Sequence, residues 1–236
     1  LIARMPPLPL SPAPLMDFER ARFNMVEQQI RPWDVLDPDV LETLFAVHRE
    51  DFVPPAYRAL AFSDLELPLT LDGVATGERM LSPKLEARML QSVLPERVHS
   101  VLEIGAGSGH MAALLAQFAR QVTTCELRED LCRFARSNLK KAGVGNVSVE
   151  HRNGLDVAAE GGFDVIVLSG SVQFVPDTLM QRLNPGGRLI AIVGEPPVMS
   201  AQRIVRTGER EFHSEKLFEP AAPPLREFPQ RDRFRF

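Results

Sequence analysis

From Val101 to Gly109 the chain reads Val-Leu-Glu-Ile-Gly-Ala-Gly-Ser-Gly, an apolar run that breaks into a turn with glycine at every second position. Gly105, Gly107 and Gly109 allow a tight turn and a close approach to a ligand where a Cβ would collide, and a helical pattern follows at once. Glu103 precedes this turn; Ala106 and Ser108 sit within it. A dinucleotide fingerprint G-x-G-x-x-G would need glycine at position 110, which is His110, so the spacing here is E-x-G-x-G-x-G. Glu126 closes the next apolar run, 21 residues after Gly105, with Leu127 beside it. A carboxylate there can accept charge-assisted hydrogen bonds from both hydroxyls of a ribose, and no arginine stands by for a 2′-phosphate. Asn153-Gly154 follows a third strand pattern. The Asn153 carbonyl oxygen can accept from an adenine amino group, although a plain Asn-Gly turn needs no ligand. Ser169-Gly170, at the end of a fourth strand, either lines the same cleft or belongs to a short βα turn.

Other reactive residue types promise less. The five histidines show no metal-ligand spacing, and His110 reads as a filler in the first turn of a helix. Trp33, the only tryptophan, either covers the cleft or packs. Cys125 and Cys132, the only cysteines, exclude a disulfide scaffold and lack zinc spacing; Cys125 reads as a buried apolar residue. Lys140-Lys141 reads as a complement to a helix C-terminus. With 27 Lys and Arg against 31 Asp and Glu, the net charge of -4 argues against a nucleic-acid partner. No apolar stretch reaches the ~18 residues of a membrane span. At 236 residues and 44% hydrophobic content, the expectation is a soluble, cytoplasmic, monomeric chain with one large core and no metal.

These residues need a scaffold, and the hydropathy pattern supplies one. Residues 1–15, with five prolines, read as a disordered tail rather than a secretory leader. Residues 16–236 read as one domain, with 16–98 a helical, substrate-facing region and 99–236 the cofactor-binding sheet. Helices are expected over Asp17–Ile30, over Asp37–His48 with Asp37 as N-cap and Pro38 at the first position, and from Ser82-Pro83 onward through Leu85, Met89 and Val93. Pro54–Glu78 reads as irregular, except that Leu67, Leu69 and Leu71 alternate as a short strand. From VLEIG to GRLIAIVG short apolar runs alternate with helical patterns, which predicts a doubly wound, mostly parallel α/β sheet of seven strands. RIVRTG and EFHSEKLFEP are expected to close it as an antiparallel hairpin.

The glycine turn resembles motif I of class I S-adenosylmethionine-dependent methyltransferases. The order of further segments is similar to the protein-L-isoaspartate O-methyltransferases. Met25-Val-Glu-Gln-Gln-Ile-Arg31 resembles that family's opening helix, and Arg49-Glu-Asp-Phe-Val-Pro54 its R-x-x-F-V-P signature. Leu102–Gly109 with the AALLA helix, Cys125-Glu126, Asn146-Val147, FDVIVLSG with Val175-Pro176, and GGRLIAIVG follow in the family's order. The resemblance implies a Rossmann-like fold with an N-terminal helical cover. It also implies S-adenosyl-L-methionine as cofactor, and methyl transfer to the α-carboxylate of L-isoaspartyl residues in damaged proteins, whose ester then collapses to a succinimide. It places Glu103, Gly105–Gly109, Glu126, Leu127, Asn153, Gly154 and Ser169 around the cofactor. The family's G-Q-T-I-S-x-P segment, whose serine is implicated in catalysis, corresponds to Gly77-Glu-Arg-Met-Leu-Ser-Pro83. An ungapped match puts Leu81 on the serine position and Ser82 one place late. Either Leu81 then faces the acceptor carboxylate or Ser82 replaces the serine, unless Ser82 only caps the helix. A small-molecule acceptor, or a relative that binds cofactor without catalysis, are the alternatives this departure leaves open.

Overall fold

The computed structural model describes residues 17–157 and 161–231. The proline-rich stretch 1–15 lies outside them. The Asp17 carboxylate accepts from Arg20 N at 3.0 Å and caps α1 (Phe18–Asn24), which passes directly into a π-helical turn, Met25–Ile30. Asp37 caps α2 (Pro38–Ala46) by accepting from Asp39 N and Val40 N, with Pro38 at the first position as the pattern predicts.

The next segment departs from expectation. Leu67–Leu71 is a strand, β1, but Val74–Met80 is a second one, β2, and the two form an antiparallel hairpin. In β2 the inward positions are Thr76, Glu78 and Met80, too polar to give an alternating apolar signal. The legible clue was Asp72-Gly73, both at positive φ, 49° and 79°. α3 (Pro83–Val93) follows and buries Leu85, Met89 and Val93. Ser82 occupies its N-cap position and its carbonyl accepts from Glu86 N at 3.1 Å, yet its hydroxyl makes no capping bond.

The sheet proper runs β3 (Ser100–Ile104), α4 (His110–Ala116), β4 (Gln121–Glu126), α5 (Glu129–Lys141), β5 (Val147–His151), β6 (Phe163–Val172), α6 (Asp177–Met180), β7 (Leu183–Glu195), β8 (Val198–Arg206) and β9 (Phe212–Phe218). The seven strands lie in the order β5-β4-β3-β6-β7-β8-β9. They are parallel up to β7; β8 runs antiparallel to both β7 and β9, so the expected closing hairpin is present. Successive side chains serve opposite faces. Val101, Val165, Val167 and Ile190 pack with α3, α4 and α5, while Leu102, Ile104, Ile166 and Leu168 pack with Leu179, Leu183 and Phe228. From β3 the chain first builds outward through β4 and β5, then returns to the other side for β6. That reversal leaves a crevice at the carboxyl end of β3, where the glycine turn begins. No helix among the described residues is long and apolar enough to cross a membrane.

Candidate functional site

The turn after β3 is anchored from beneath. Gly105 N and Ala106 N both donate to the Cys125 carbonyl, at 2.9 and 3.1 Å, tying the turn to the end of β4. Gly105 has φ 98°, and a Cβ there would lie 2.9 Å from Leu225 Cδ2, so only glycine fits. Glu126 stands across the turn. Its Oε2 accepts from Gly107 N at 3.0 Å and its Oε1 from Arg128 N at 3.1 Å. Burial pushes the Glu126 carboxyl up from the ordinary range; these amides and that of Leu127 oppose the shift, and the nearby charge of Glu78 adds to it. Each oxygen still has acceptor capacity for a ligand hydroxyl.

Asn153 Oδ1 accepts from Leu155 N at 2.9 Å and caps the short turn Gly154–Asp156. A Cβ on Gly154 would come within 2.6–2.8 Å of the Ile104 side chain, so glycine is needed for close packing against β3. Glu103 is fully buried beneath the turn. Thr124 Oγ1 and Ser169 Oγ each donate to it at 2.7 Å. Burial pushes its pKa up to about 8; the two hydroxyls oppose this, and the charges of Glu86 and Glu126 add to it. Cys125 is 1% exposed, with its thiol pushed up to about 12, chiefly by burial. A buried thiol kept protonated is a poor nucleophile, in keeping with the reading of Cys125 as a buried apolar residue.

A cavity of about 670 Å³, its open mouth included, spans this region. Gly105, Gly107, Glu126, Leu127, Asn153, Gly154 and Ser169 border it on the sheet side, and Leu69, Glu78 and Arg79 border it from the β1–β2 hairpin. The segment Pro223–Arg226 forms a third wall. Ser171 N donates to Pro223 O at 2.8 Å and Leu225 N to Ser171 O at 2.9 Å, while Arg226 Nε meets Glu78 Oε1 at 2.5 Å. Nothing in the sequence pattern announced this wall.

The chain matches the model of the Protein-L-isoaspartate(D-aspartate) O-methyltransferase (PCMT) family over residues 20–221. It belongs to that family. A protein-L-isoaspartate O-methyltransferase of Rhodopseudomonas palustris is 36% identical over 203 residues, 85% of this chain and 91% of the relative. One from Koribacter versatilis is 34% identical over 212 residues, 89% of this chain and 93% of the relative. A Plasmodium falciparum structure of the same description, solved with S-adenosyl-L-homocysteine, superposes with a TM-score of 0.74 at 19% identity. It covers 91% of this chain and 100% of its own, an agreement of fold.

The remaining residues expected at the site have other places. Ala106 is buried, and Ser108 is 3% exposed with its carbonyl accepting from Asn138 Nδ2. Gly109 backs onto α5, where a Cβ would lie 3.3 Å from Ala135 O. Glu103 acts on the cavity only through Ser169. Leu81, which the ungapped match aims at the acceptor, is 4% exposed and its side chain joins the main apolar cluster. Neither Leu81 nor Ser82 borders the cavity. β2 ends with Met80 turned inward, and Leu81, in the link before α3, joins the same cluster. Trp33 is 52% exposed beneath Lys84 Nζ, 3.9 Å from its ring centroid, and does not border the cavity either.

A buried polar cluster in this family member escaped the sequence reading. Arg49, from the R-x-x-F-V-P segment, pairs with Glu86 and donates to Leu81 O at 2.7 Å and Ala61 O at 3.1 Å. His110 Nδ1 lies 2.8 Å from Glu86 Oε2 and 3.1 Å from Arg49 Nη1. Burial alone would raise the Glu86 carboxyl, but His110 and Arg49 outweigh it and hold it low. The available signal was a charge on the buried stripe of α3, since Glu86 shares a face with Met89, Leu90 and Val93.

Proposed function

We propose that this chain transfers a methyl group from S-adenosyl-L-methionine to the α-carboxylate of L-isoaspartyl residues in peptides and proteins. The observation that carries the reading is the Gly107–Glu126 hydrogen bond at the switch point, in a chain whose curated relatives carry that activity in their names. The residues present suit the cofactor. A half-buried carboxylate with spare acceptor capacity matches a ribose diol, and Gly105 and Gly107 leave the sheet-side wall without side chains. Ile104, Leu127, Leu225 and Phe228 offer apolar surface to a purine. Asn153 Oδ1 already caps a turn and has one acceptor position left for an amino group.

Bound there, S-adenosyl-L-methionine supplies an electrophilic methyl on a sulfonium. The acceptor needs little help, because a carboxylate with a free pKa of about 3.9 is ionised at neutral pH. Its oxygen forms the new bond to the methyl carbon as the carbon–sulfur bond breaks and the electron pair stays on sulfur. No proton moves, so no general base is required. The protein's task is to exclude water and hold the carboxylate in line. Walls from the hairpin and from Pro223–Arg226 are placed to do the first. The test is transfer of label from S-adenosyl-L-methionine to an isoaspartyl peptide and to its normal aspartyl counterpart. Transfer to the isoaspartyl peptide alone is expected. Cofactor binding without transfer to either would overturn the acceptor assignment and favour a small-molecule acceptor.

A further inference from the structure

Among the described residues four arginines border the cavity, and three are already committed. Arg128 Nη2 lies 2.6 Å from Asp130 Oδ2 and Nη1 donates to Thr76 O at 3.3 Å. Arg152 lies 3.4 Å from Glu150, and Arg226 holds Glu78 at 2.5 Å. The Arg79 side chain makes no hydrogen bond, ion pair or ring contact among the described residues. It lies near Glu66, whose carboxyl burial raises and the Arg79 charge partly lowers. Arg79 stands on β2 opposite Pro68, on the outward side of the strand, and is exposed where it borders the cavity. Its five N–H donors, in a planar fork, are therefore unspent at the mouth.

The sheet-side wall beneath carries the opposite sign. Glu126 borders the cavity, and Glu78 is beside the mouth but neutralised by Arg226. That surface suits hydroxyls and a sulfonium and repels an anion. An anionic acceptor arriving from solvent meets the mouth first, and among the described residues the uncommitted positive charge there is Arg79. A guanidinium and a carboxylate are matched for two parallel hydrogen bonds, which fix direction as well as distance.

We propose that Arg79 is a specificity-determining residue that receives the acceptor's α-carboxylate at the cavity mouth. The inference rests on the isoaspartyl reading given above. It also accounts for the altered Gly77–Pro83 segment. Leu81 is turned into the core, and Arg79, two residues earlier on β2, carries this segment's free charge at the mouth. The contact is made to the ionised ground state and weakens as the carboxylate gives up its charge to the methyl group, so it acts on binding rather than on the chemical step.

The experiment is steady-state methyl transfer to an isoaspartyl peptide by the wild type, Arg79→Gln and Arg79→Lys. It is paired with calorimetric titration of S-adenosyl-L-homocysteine and with thermal melts. Arg79→Gln is expected to raise the peptide KM about tenfold, the low end for a charge-assisted bond at an exposed site. kcat should stay within about threefold of the wild type. Arg79→Lys should recover part of the loss, and the wild-type KM should rise with salt more steeply than that of Arg79→Gln. S-adenosyl-L-homocysteine affinity and melting temperature should change little, because the Arg79 side chain is exposed and makes no hydrogen bond or ion pair among the described residues. An unchanged KM in Arg79→Gln overturns the assignment. So does weakened S-adenosyl-L-homocysteine binding with KM intact, which would give Arg79 to the cofactor's own carboxylate. A wild type inactive on the peptide would instead refute the proposed function, on which this inference depends.

Discussion

Replacing Glu126 with alanine removes three things at once. The Gly107 and Arg128 amides lose acceptors at 3.0 and 3.1 Å, and a bound ribose loses a charged partner. Charge-assisted bonds in a partly dry site are worth about 1.5–3 kcal/mol, so S-adenosyl-L-homocysteine affinity should fall about ten- to a hundredfold. The amides border an open cavity and can turn to water, so the cost to folding should be smaller, about 1 kcal/mol. Glutamine is no gentler. Its amide N–H₂ would face the N–H of Gly107 or Arg128, donor against donor. The pH profile provides an independent check. Because burial raises the Glu126 carboxyl, it protonates at a higher pH than a free carboxylate. Wild-type affinity should therefore weaken in mildly acidic solution, and the alanine variant should lack that limb. Calorimetric titration with a parallel thermal melt measures both. Unchanged affinity in a folded Glu126→Ala protein would refute the role of Glu126 and the argument from the glycine turn with it.

Glu103 is raised to about 8 in the fold against an ordinary 4.5, so it favours folding when protonated. The wild type should lose a few kcal/mol relative to Glu103→Gln between about pH 4.5 and 8 and then level off, as read by denaturant melts across that range. Leu81→Ser should cost about 2–4 kcal/mol, because it leaves a void and an unpaired hydroxyl in the apolar cluster, and it should not speed methyl transfer. Glu86→Leu should cost about 3–5 kcal/mol in denaturant titrations, since it strands the Arg49 charge at 2% exposure.

The glycine turn, Glu126, the Asp37 cap and the alternation of strands and helices were legible in the sequence, because each is set by residues a few positions apart. Three glycines at alternate positions after an apolar strand constrain the backbone wherever the chain goes. Strand β2 was not legible, since its inward positions carry Thr76 and Glu78 and its burial depends on contacts made by neighbouring segments. The same holds for the orientation of Leu81. Sequence register could align it with a catalytic serine, but the packing of the link between β2 and α3 decides that its side chain joins the core. Arg49, Glu86 and His110 come from three segments, 37 and 24 residues apart, and only packing brings their charges within hydrogen-bonding reach. Leu225 meets Gly105 across 120 residues of chain (225 − 105), a contact decided by where β9 ends and the segment after it returns to Ser171. Local spacing determined which residues could hold a cofactor. Long-range packing decided what stands opposite them, because burial and the partner of each charge belong to the folded surface rather than to the order of residues.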